Sequence, residues 1–471
     1  MRTNNSVILA LTFTIMSAGV TMALDYVVVE TGLETCFDNF VEIPCPAEGE
    51  PFYGQDAQYQ GIPFAYQDNN DGTITDHNTD LMWQKTPNLG NKLTWNEAFD
   101  YADTLTVGGH ADWRLPTIKE LLSLADFTGN INTMTPYIDT NYFDFEYPDT
   151  TDGDRIIDAQ YVSSTQYVET IFHGDEGFFG FNFADGRLKC YPILNGPNGV
   201  PRWYVRCLRG REDYSINSFV DNGDGTISDL ATGLMWQKSD DGEARNWEDA
   251  LSYSANLELA GYDDWRLPDA KQLQSIVDYS RPAPAIDTVF GTMDDEGWFW
   301  SSTTFYEHPR DAMYVAFGRA VNYRGIDVHG AGALRSDPKS GDPDEYPFGR
   351  GPQHDEVRIY NYVRCVRSEG ATNIGDDRSS IQRPDQISIS QNYPNPFNAN
   401  TIIRYSIPSA SAVAIDIYDI LGYKVETLIQ AKQQAGYHQI VWNADLVPSG
   451  MYFYRIKAGG YTETRKMVVL K

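Results

Sequence analysis

The sequence predicts an α+β fold class, with two tandem α+β domains followed by an all-β domain. Three observations carry this prediction. Residues 68–126 recur with the same motifs at residues 221–278, so that Trp83 matches Trp236. Strand and helix signals alternate within each copy, and residues 387–471 contain only short strand signals. Because a repeat of this length is a structural unit, the duplication is first of all information about the fold.

The length and composition of the chain indicate several folded parts. With 471 residues and 41% hydrophobic residues, the chain is too long for one core and too apolar to be disordered. The predicted divisions are a signal peptide (1–23), a lead-in with a cysteine loop (24–60), a first repeat (61–210), a second repeat (211–370), a linker (371–386) and a tail domain (387–471). The linker has no apolar periodicity and is rich in Gly, Asp and Ser.

The second repeat shows the elements of both copies most clearly. Residues 219–229 predict a strand that enters an Asn-Gly/Asp-Gly turn, and GLMWQK is the returning strand. Helical spacing covers residues 247–257, with Asn246 as the N-cap, and a second helix opens at Asp269 and carries Leu273 inward. The short β runs WFWSST, YVAFG and NYVRCVR follow. Two helices beside a small antiparallel sheet predict the α+β class.

The tail domain has a different pattern. Its runs IIRYSI, VAIDIY, QIVWN, MYFYRIKA and KMVVLK are short alternating strands separated by Gly, Pro and Asn. This pattern is typical of a small immunoglobulin-like β-sandwich.

Charge and the first residues indicate where the protein works. The 36 basic and 66 acidic residues leave a formal net charge of −30, which repels nucleic acid and anionic lipid headgroups. We therefore expect no nucleic-acid partner. Arg2, an apolar stretch from Val7, and small residues at Thr21 and Ala23 predict a secretory signal that is cut before Leu24. No other stretch is apolar enough to span a bilayer, so the sequence predicts an exported protein without a transmembrane anchor.

Export permits disulfides, and the chain has five cysteines. Cys36 and Cys45 are close in sequence and predict one bridge. Cys190 and Cys207 fall in the same repeat and predict a second. Cys365 is then left either buried and free or paired between chains. The spacings do not match a zinc site.

No motif in the sequence supports catalysis. The Asp-rich DNGDGT segments suggest calcium, but their ligand register fails, and turn chemistry is the better interpretation. The serine pairs at 163–164 and 301–302 have no recurring histidine beside them, which favours packing over nucleophilic chemistry. The sequence thus predicts a protein that is not an enzyme and that has no cofactor and no bound metal.

Candidate binding residues are expected where the two repeats differ. The tryptophans recur at matched positions, so core packing explains them better than sugar stacking. The unmatched loops of the second repeat instead collect aromatic and cationic residues in an otherwise acidic protein. The candidate ligand-binding residues are Tyr306, Arg310, Arg319, Tyr323, Arg324 and His329.

The repeated motifs resemble a known family. DNGDGTISDLATGLMWQK, WEDALSYSANL, DWRLPDAKQL, WSST and YVRCVR are similar to the Lcl C-terminal domain family of bacterial surface and secreted modules, named for a collagen-like adhesin. The resemblance covers both repeats and implies a C-type-lectin-like fold. Residues 114–120 also resemble a helix of formylglycine-generating enzymes. The catalytic cysteines of those enzymes and the calcium-sugar motifs of C-type lectins have no counterparts here, so the resemblance implies a scaffold only.

The tail domain resembles a second family. QNYPNPFNANTIIRYSIP, VAIDIYDILGYKVETL and PSGMYFYRIKAGGYTETRKMVVLK are similar to the type IX secretion (Por) C-terminal sorting domain. This resemblance implies the type IX secretion machinery as a partner and a secreted or cell-surface location.

Together these observations predict an exported, non-catalytic recognition or adhesion protein. Its expected partner is a glycan or another cell-surface polymer, bound through loops of the two lectin-like domains. Two alternatives remain: a structural subunit of a surface layer or filament, and an enzyme of the formylglycine-generating type.

Overall fold

A computed structural model of the chain describes residues 26–470. The gaps are residues 60, 173, 197–198, 369–386, 390–391, 393–394, 396, 398–399, 408–410, 434–435 and 445–446. The predicted signal peptide and linker lie outside the described residues. The lead-in and both repeats belong to one compact unit within residues 24–374, and the tail domain belongs to another.

The predicted α+β class is wrong, because the structure is mainly β. Strands make up 38% of the residues and helices 11%. The four α-helices have only 6 to 10 residues each, whereas one strand of the first repeat reaches 12. Every strand pair among the described residues is antiparallel. The C-type-lectin-like α+β fold that the resemblance implied is therefore also corrected.

The elements of the lead-in and the first repeat follow in chain order. They are β1 (Cys36–Phe37), β2 (Glu42–Ile43), a 3-10 turn (Asp56–Gln58), β3 (Tyr66–Asp68), β4 (Thr73–Asp76), β5 (Leu81–Gln84), α1 (Trp95–Thr104), α2 (Ile118–Ser123), two 3-10 turns (Ile131–Thr133 and Thr150–Asp152), β6 (Gln160–Ile171), β7 (Asp175–Asn182), β8 (Arg187–Pro192) and β9 (Leu208–Gly210).

The second repeat has the same order of elements. They are β10 (Phe219–Asp221), β11 (Thr226–Asp229), β12 (Leu234–Gln237), α3 (Trp247–Ala255), α4 (Ala270–Ser275), β13 (Trp298–Thr304), β14 (Asp311–Ala316), β15 (Ala333–Pro338), a 3-10 turn (Pro343–Glu345) and β16 (Val366–Ser368). The predicted N-cap Asn246 is confirmed, since it accepts a hydrogen bond from Asp249 N, and Asp269, where the second helix was predicted to open, caps that helix by accepting from Gln272 N.

The two repeats share a sheet. Each has its own four-stranded sheet, in the orders β3-β4-β5-β9 and β10-β11-β12-β16. The remaining strands form one six-stranded sheet in the order β13-β14-β15-β8-β7-β6. Its centre is the pair β8–β15, where Leu188 lies opposite Leu334. The strand order is thus symmetric about the contact between the repeats.

The main hydrophobic core also spans both repeats. It packs α2 and α4 on one face of the six-stranded sheet and includes Leu121, Leu188, Leu273 and Leu334. On the opposite face, α1 packs in a first-repeat cluster and α3 in a second-repeat cluster. The predicted core role of the tryptophans is confirmed for the buried members Trp83, Trp113, Trp236, Trp247 and Trp265, whereas Trp95 is half-buried.

Two equivalent lysines lie at the contact between the repeats. The Lys119 ammonium in α2 donates to Ser275 O at 2.7 Å, at the end of α4. The Lys271 ammonium in α4 donates to Ser123 O at 3.3 Å, at the end of α2. Burial lowers the pKa of Lys119 to about 8 and that of Lys271 to about 7. Each helix therefore supplies a lysine hydrogen-bond donor to the carbonyl end of its counterpart.

The cysteines agree only partly with the predicted pairing. Cys36 and Cys45 form a disulfide in the lead-in, as predicted. The predicted Cys190–Cys207 bridge is wrong, because both are free buried thiols. Cys190 packs in the shared core and Cys207 in the first-repeat cluster, on opposite faces of the sheet. Cys365 is also free and buried, with its thiol 3.3 Å from Ser254 Oγ, which leaves no access for a bridge between chains.

The Asp-rich turns use their carboxylates within the turn. Asp71 Oδ1 accepts from Thr73 N and Oγ1 at 3.0 and 2.6 Å, and Asp224 Oδ1 accepts from Thr226 N and Oγ1 at 3.1 and 2.6 Å. The turn joins β10 to β11, so the returning strand of the hairpin is β11, and GLMWQK forms the next strand. These contacts support turn chemistry as the role of the acidic residues.

The tail domain is a β-sandwich, as predicted. Its strands are β17 (Ser388–Ile389), β18 (Asn400–Ile407), β19 (Ser411–Asp419), β20 (Lys424–Gln433), β21 (Gly436–Asn443), β22 (Gly450–Ala458) and β23 (Tyr461–Val469). They form two antiparallel sheets in the orders β17-β18-β21 and β20-β19-β22-β23. Buried residues of both sheets, among them Ile403, Ile415 and Ile456, make a single core.

Candidate functional site

The six predicted binding residues lie on two loops of the second repeat. Tyr306 and Arg310 are between β13 and β14, and the other four lie on residues 317–332 between β14 and β15. Of these six, only the half-buried Tyr323 and the exposed Arg324 come together at the surface. The remaining four have structural contacts.

Tyr306 and Arg310 hold the lead-in. The Tyr306 ring meets Phe37 edge-on, with 6.0 Å between ring centroids. The Arg310 guanidinium lies 5.3 Å from the centre of the Phe40 ring. Both side chains therefore stabilise the cysteine loop.

Arg319 and His329 have partners within their own repeat. Arg319 Nε donates to Glu296 Oε1 at 2.8 Å, an exposed ion pair of small energetic value. His329 is only 2% exposed, and its Nε2 lies 2.8 Å from Asp355 Oδ1. Burial and the neighbouring Arg335 lower the pKa of His329 to about 3, so its ring is neutral at physiological pH. His329 supports the loop from inside.

An exposed aromatic cluster forms where two loops meet. We call Tyr323, Arg324, Phe348 and His354 the loop cluster. Arg324 Nε donates to Tyr323 Oη at 2.7 Å, and its guanidinium lies 5.1 Å from the centre of that ring. The Tyr323 ring also meets Phe348 and His354 edge-on at centroid distances of 5.8 and 5.6 Å. Phe348 is 66% exposed, which is a large apolar exposure for a loop residue.

Buried charges hold the loop cluster in place. Asp355 forms an ion pair with Arg335 of β15 and a hydrogen bond with the neutral His329. Burial alone would raise the pKa of Asp355, but Arg335 and His329 outweigh it and hold that pKa well below its usual range. Tyr323 N donates to His354 O at 2.9 Å, and Asn322 Oδ1 accepts from Arg324 N at 3.0 Å. Binding sites need side chains that surrounding contacts hold in place, and the loop cluster has such contacts.

The loop cluster belongs to the second repeat only. In the first repeat, β7 and β8 are joined by residues 183–186, a connection too short to carry such a loop. Sequence reasoning found Tyr323 and Arg324 because their loop has no matching sequence in the first repeat. It missed Phe348 and His354. The signal that could have found Phe348 is the segment YPFGRGPQH, where Gly and Pro residues flank an aromatic residue and indicate a turn that exposes its side chain.

The groups that could carry chemistry are engaged elsewhere. Ser163 Oγ donates to Phe179 O and Ser301 Oγ to Met313 O, at 2.5 and 2.8 Å. Burial raises the pKa of the Cys207 and Cys365 thiols to about 12 each. Across the described residues, no group of three His, Cys, Asp or Glu side chains is placed to hold a metal ion.

A buried carboxylate beneath the lead-in has the most unusual environment. Asp56 Oδ2 accepts from Thr31 Oγ1 at 2.8 Å and from Thr303 Oγ1 at 2.6 Å. Burial and the nearby Asp269 carboxylate raise the pKa of Asp56 to about 7, although both hydroxyls and Arg266 oppose the shift. Perturbed carboxylates often mark active sites. This one is covered by its own segment and joins the lead-in to β13.

Replacing Asp56 by asparagine is expected to change how stability depends on pH. The folded pKa of about 7 lies above the usual 3.8, so Asp56 contributes stability that is complete below 3.8 and is lost as the pH rises through about 7. The unfolding free energy of the wild type should fall relative to Asp56→Asn across this range, by up to ~1.4 kcal/mol per pH unit. Denaturant melts at several pH values measure it. Asp103→Asn, at an exposed carboxyl, is the control, and parallel wild-type and Asp56→Asn curves would contradict the expectation.

Comparisons with known proteins assign the parts of the chain. The model of the Lcl C-terminal domain matches residues 72–209 and 225–335. The model of the secretion system C-terminal sorting domain matches residues 391–470. No curated protein matches the chain in a sequence search.

Two solved structures from Porphyromonas gingivalis show distant similarity. One is PorZ, a surface component of the type IX secretion system, at 10% identity and a TM-score of 0.15, covering 65% of this chain and 45% of PorZ. The other is dimeric latent PorU, at 12% identity and a TM-score of 0.17, covering 63% of this chain and 26% of PorU. The chain spans less than half the length of either, and scores this low carry no argument.

The fold and the matches define an exported protein with a duplicated surface module and a secretion tail. The chain belongs to the Lcl C-terminal domain family, in two tandem copies. Its sorting domain directs type IX secretion to the cell surface or the exterior. Within the described residues, no helix has the length and apolarity to cross a bilayer.

Proposed function

We propose that the protein is a non-catalytic recognition protein that binds a glycan or another surface polymer through the loop cluster. The observation that carries this proposal is the cluster of Tyr323, Arg324, Phe348 and His354 where two loops meet, with the Tyr323 ring edge-on to Phe348 and His354 and with Asp355 paired to Arg335. Aromatic rings pack against the C–H faces of sugar rings, and a guanidinium donates hydrogen bonds to their oxygens. The Ser163 and Ser301 hydroxyls donate to backbone carbonyls and the free thiols are buried, which supports a role without catalysis.

The protein recognises its ligand through one surface, on the second repeat, and not through two identical surfaces. The two repeats share their core but differ in loop length where the loop cluster forms. The duplicated core therefore supports the loops of the second repeat that form the loop cluster. Preorganisation of this kind raises affinity because less ordering is needed on binding.

Removing the aromatic rings of the loop cluster is expected to abolish binding. On an array of glycans and surface polymers, Tyr323→Ala and Phe348→Ala should each weaken any bound ligand by at least about tenfold, the loss typical of a central aromatic contact. Tyr360→Ala is the matched control, because Tyr360 is also an exposed aromatic residue, at 48% exposure, outside the loop cluster. Binding that survives both loop-cluster substitutions would refute the assignment.

A further inference from the structure

The second repeat contains a groove that is filled by the chain itself. Its walls are α3 and the segment that leads into α4, and its floor is the end of β13. The lead-in residues Phe52–Tyr59 lie in it. Phe52 packs on Trp247 at a ring-centroid distance of 6.4 Å, and Arg266 lies 4.9 Å from the centre of the Tyr59 ring.

Side-chain contacts fix the lead-in in this covered groove. Asp56 accepts from Thr303 Oγ1 of β13 at 2.6 Å. A side chain at Gly54 would meet Leu251 at 3.9 Å, so the backbone passes close to α3 there. Lys339 Nζ donates to Asp38 O at 3.0 Å and lies 4.0 Å from the centre of the Trp247 ring. The groove thus binds a peptide segment that presents an aromatic residue, a glycine, an aspartate and a tyrosine.

The first repeat has the same groove. In the repeated motifs, Phe99 of α1 corresponds to Leu251, and Arg114 corresponds to Arg266. The structure confirms the match at the floor, because Thr165 Oγ1 accepts from Ile118 N and Thr303 Oγ1 from Ala270 N, each at 2.9 Å.

The groove of the first repeat is open. It encloses about 300 Å³, and its lining includes Phe99, Ala102, Arg114 and Ser164 together with the acidic Asp103 and Glu212. Phe99 is 36% exposed, whereas Leu251 is 1% exposed beneath the lead-in. The Arg114 side chain lines the groove, is 27% exposed and makes a bidentate pair with Glu120, and a guanidinium held in this way can stack on an aromatic ring.

The open groove lacks one acidic residue of the covered groove, although Asp103 and Glu212 also line it. Asp269 helps to raise the pKa of Asp56 in the covered groove, and its counterpart in the first repeat is the neutral Thr117. An incoming carboxylate therefore meets no acidic residue at this position.

We infer that the open groove binds an extended peptide segment of a partner protein, with the pattern aromatic-x-Gly-x-Asp-x-x-Tyr seen in residues 52–59. The chain has one lead-in, and that segment is held on the second repeat. The described residues leave the first-repeat groove open, which makes a segment of another molecule its candidate occupant.

A labelled synthetic peptide with the sequence of residues 50–60, EPFYGQDAQYQ, tests this inference on the full chain. Saturable binding in a fluorescence anisotropy titration is the expected result. Phe99→Asp and Ser164→Trp should each weaken it by at least tenfold. Leu194→Asp is the control, because Leu194 is an exposed apolar residue of the first repeat outside the groove. A peptide in which serine replaces the residues matching Phe52 and Tyr59 should bind at least tenfold more weakly.

Several outcomes would overturn the inference. Absence of peptide binding, or binding that is equal in wild type and Phe99→Asp, would remove the groove as a peptide site. Concentration-dependent dimers in sedimentation that disappear in Phe99→Asp would make a second copy of the chain the occupant and refute a separate partner. Tyr323→Ala should leave peptide binding unchanged, so failure of the loop-cluster proposal and failure of this one are distinguishable.

Discussion

Neither repeat is expected to fold when it is expressed without the other. Separation removes the β8–β15 pair at the centre of the six-stranded sheet and exposes the shared face with Leu188 and Leu334, both 0% exposed in the intact protein. Each fully buried leucine contributes ~1.5–3 kcal/mol, and a whole domain is stable by only ~5–15 kcal/mol. Residues 61–210 and residues 211–370 should each lack a cooperative thermal transition, whereas residues 24–370 should melt in one.

A point substitution tests the same contact in the full chain. Leu188→Asp places an unpaired carboxylate in the shared core and is expected to destabilise both repeats together by at least ~3–5 kcal/mol. Leu194→Asp introduces the same charge at a side chain that is 54% exposed, and it should change the unfolding free energy by less than ~0.5 kcal/mol. Two separate melting transitions in Leu188→Asp, with the second repeat at its wild-type stability, would show that the repeats are independent.

Local features of the fold could be predicted from the sequence because local signals specify them. Asn246 caps its helix and the next helix opens at Asp269 as expected, since capping depends on the residues of one turn. Trp83 and Trp236 are fully buried, as their matched positions indicated. The Cys36–Cys45 disulfide closes a short loop and was also predictable.

Long-range pairing has no such local signal, and here the prediction was wrong. Nothing near Leu188 or Leu334 in sequence indicates that their strands pair and join two small sheets into one, which shifts the class from α+β to mainly β. The Cys190–Cys207 bridge failed for the same reason. Sequence proximity within a repeat does not show on which face of a sheet each thiol lies.

The candidate site was predicted in part. The unmatched loops of the second repeat pointed to Tyr323 and Arg324, because residues that differ between copies are free of the shared core. The same reasoning included His329, which is buried, since a polar residue in a long loop was expected to face solvent. Polar residues that fix a loop from inside cannot be separated from binding residues without the tertiary contacts, here those with Asp355.

Deletion of residues 387–471 is expected to abolish delivery to the cell surface and to leave the protein in the periplasm. The deleted segment contains the matched sorting domain, and the lead-in and repeats form a compact unit of their own, so the truncated protein should stay folded. Cell fractionation and protease treatment of intact cells measure the distribution.

A point substitution tests whether delivery requires the folded tail domain or only its sequence. Ile456→Asp, at a fully buried position of β22, should unfold the sandwich and reproduce the deletion, because an unpaired charge cannot be accommodated in its core. Thr462→Asp adds the same charge at an exposed position of β23 and should be delivered normally. Normal delivery of the truncated protein would refute the sorting role. Normal delivery of Ile456→Asp alone would show that the machinery reads the tail as a linear sequence, not as a folded sandwich.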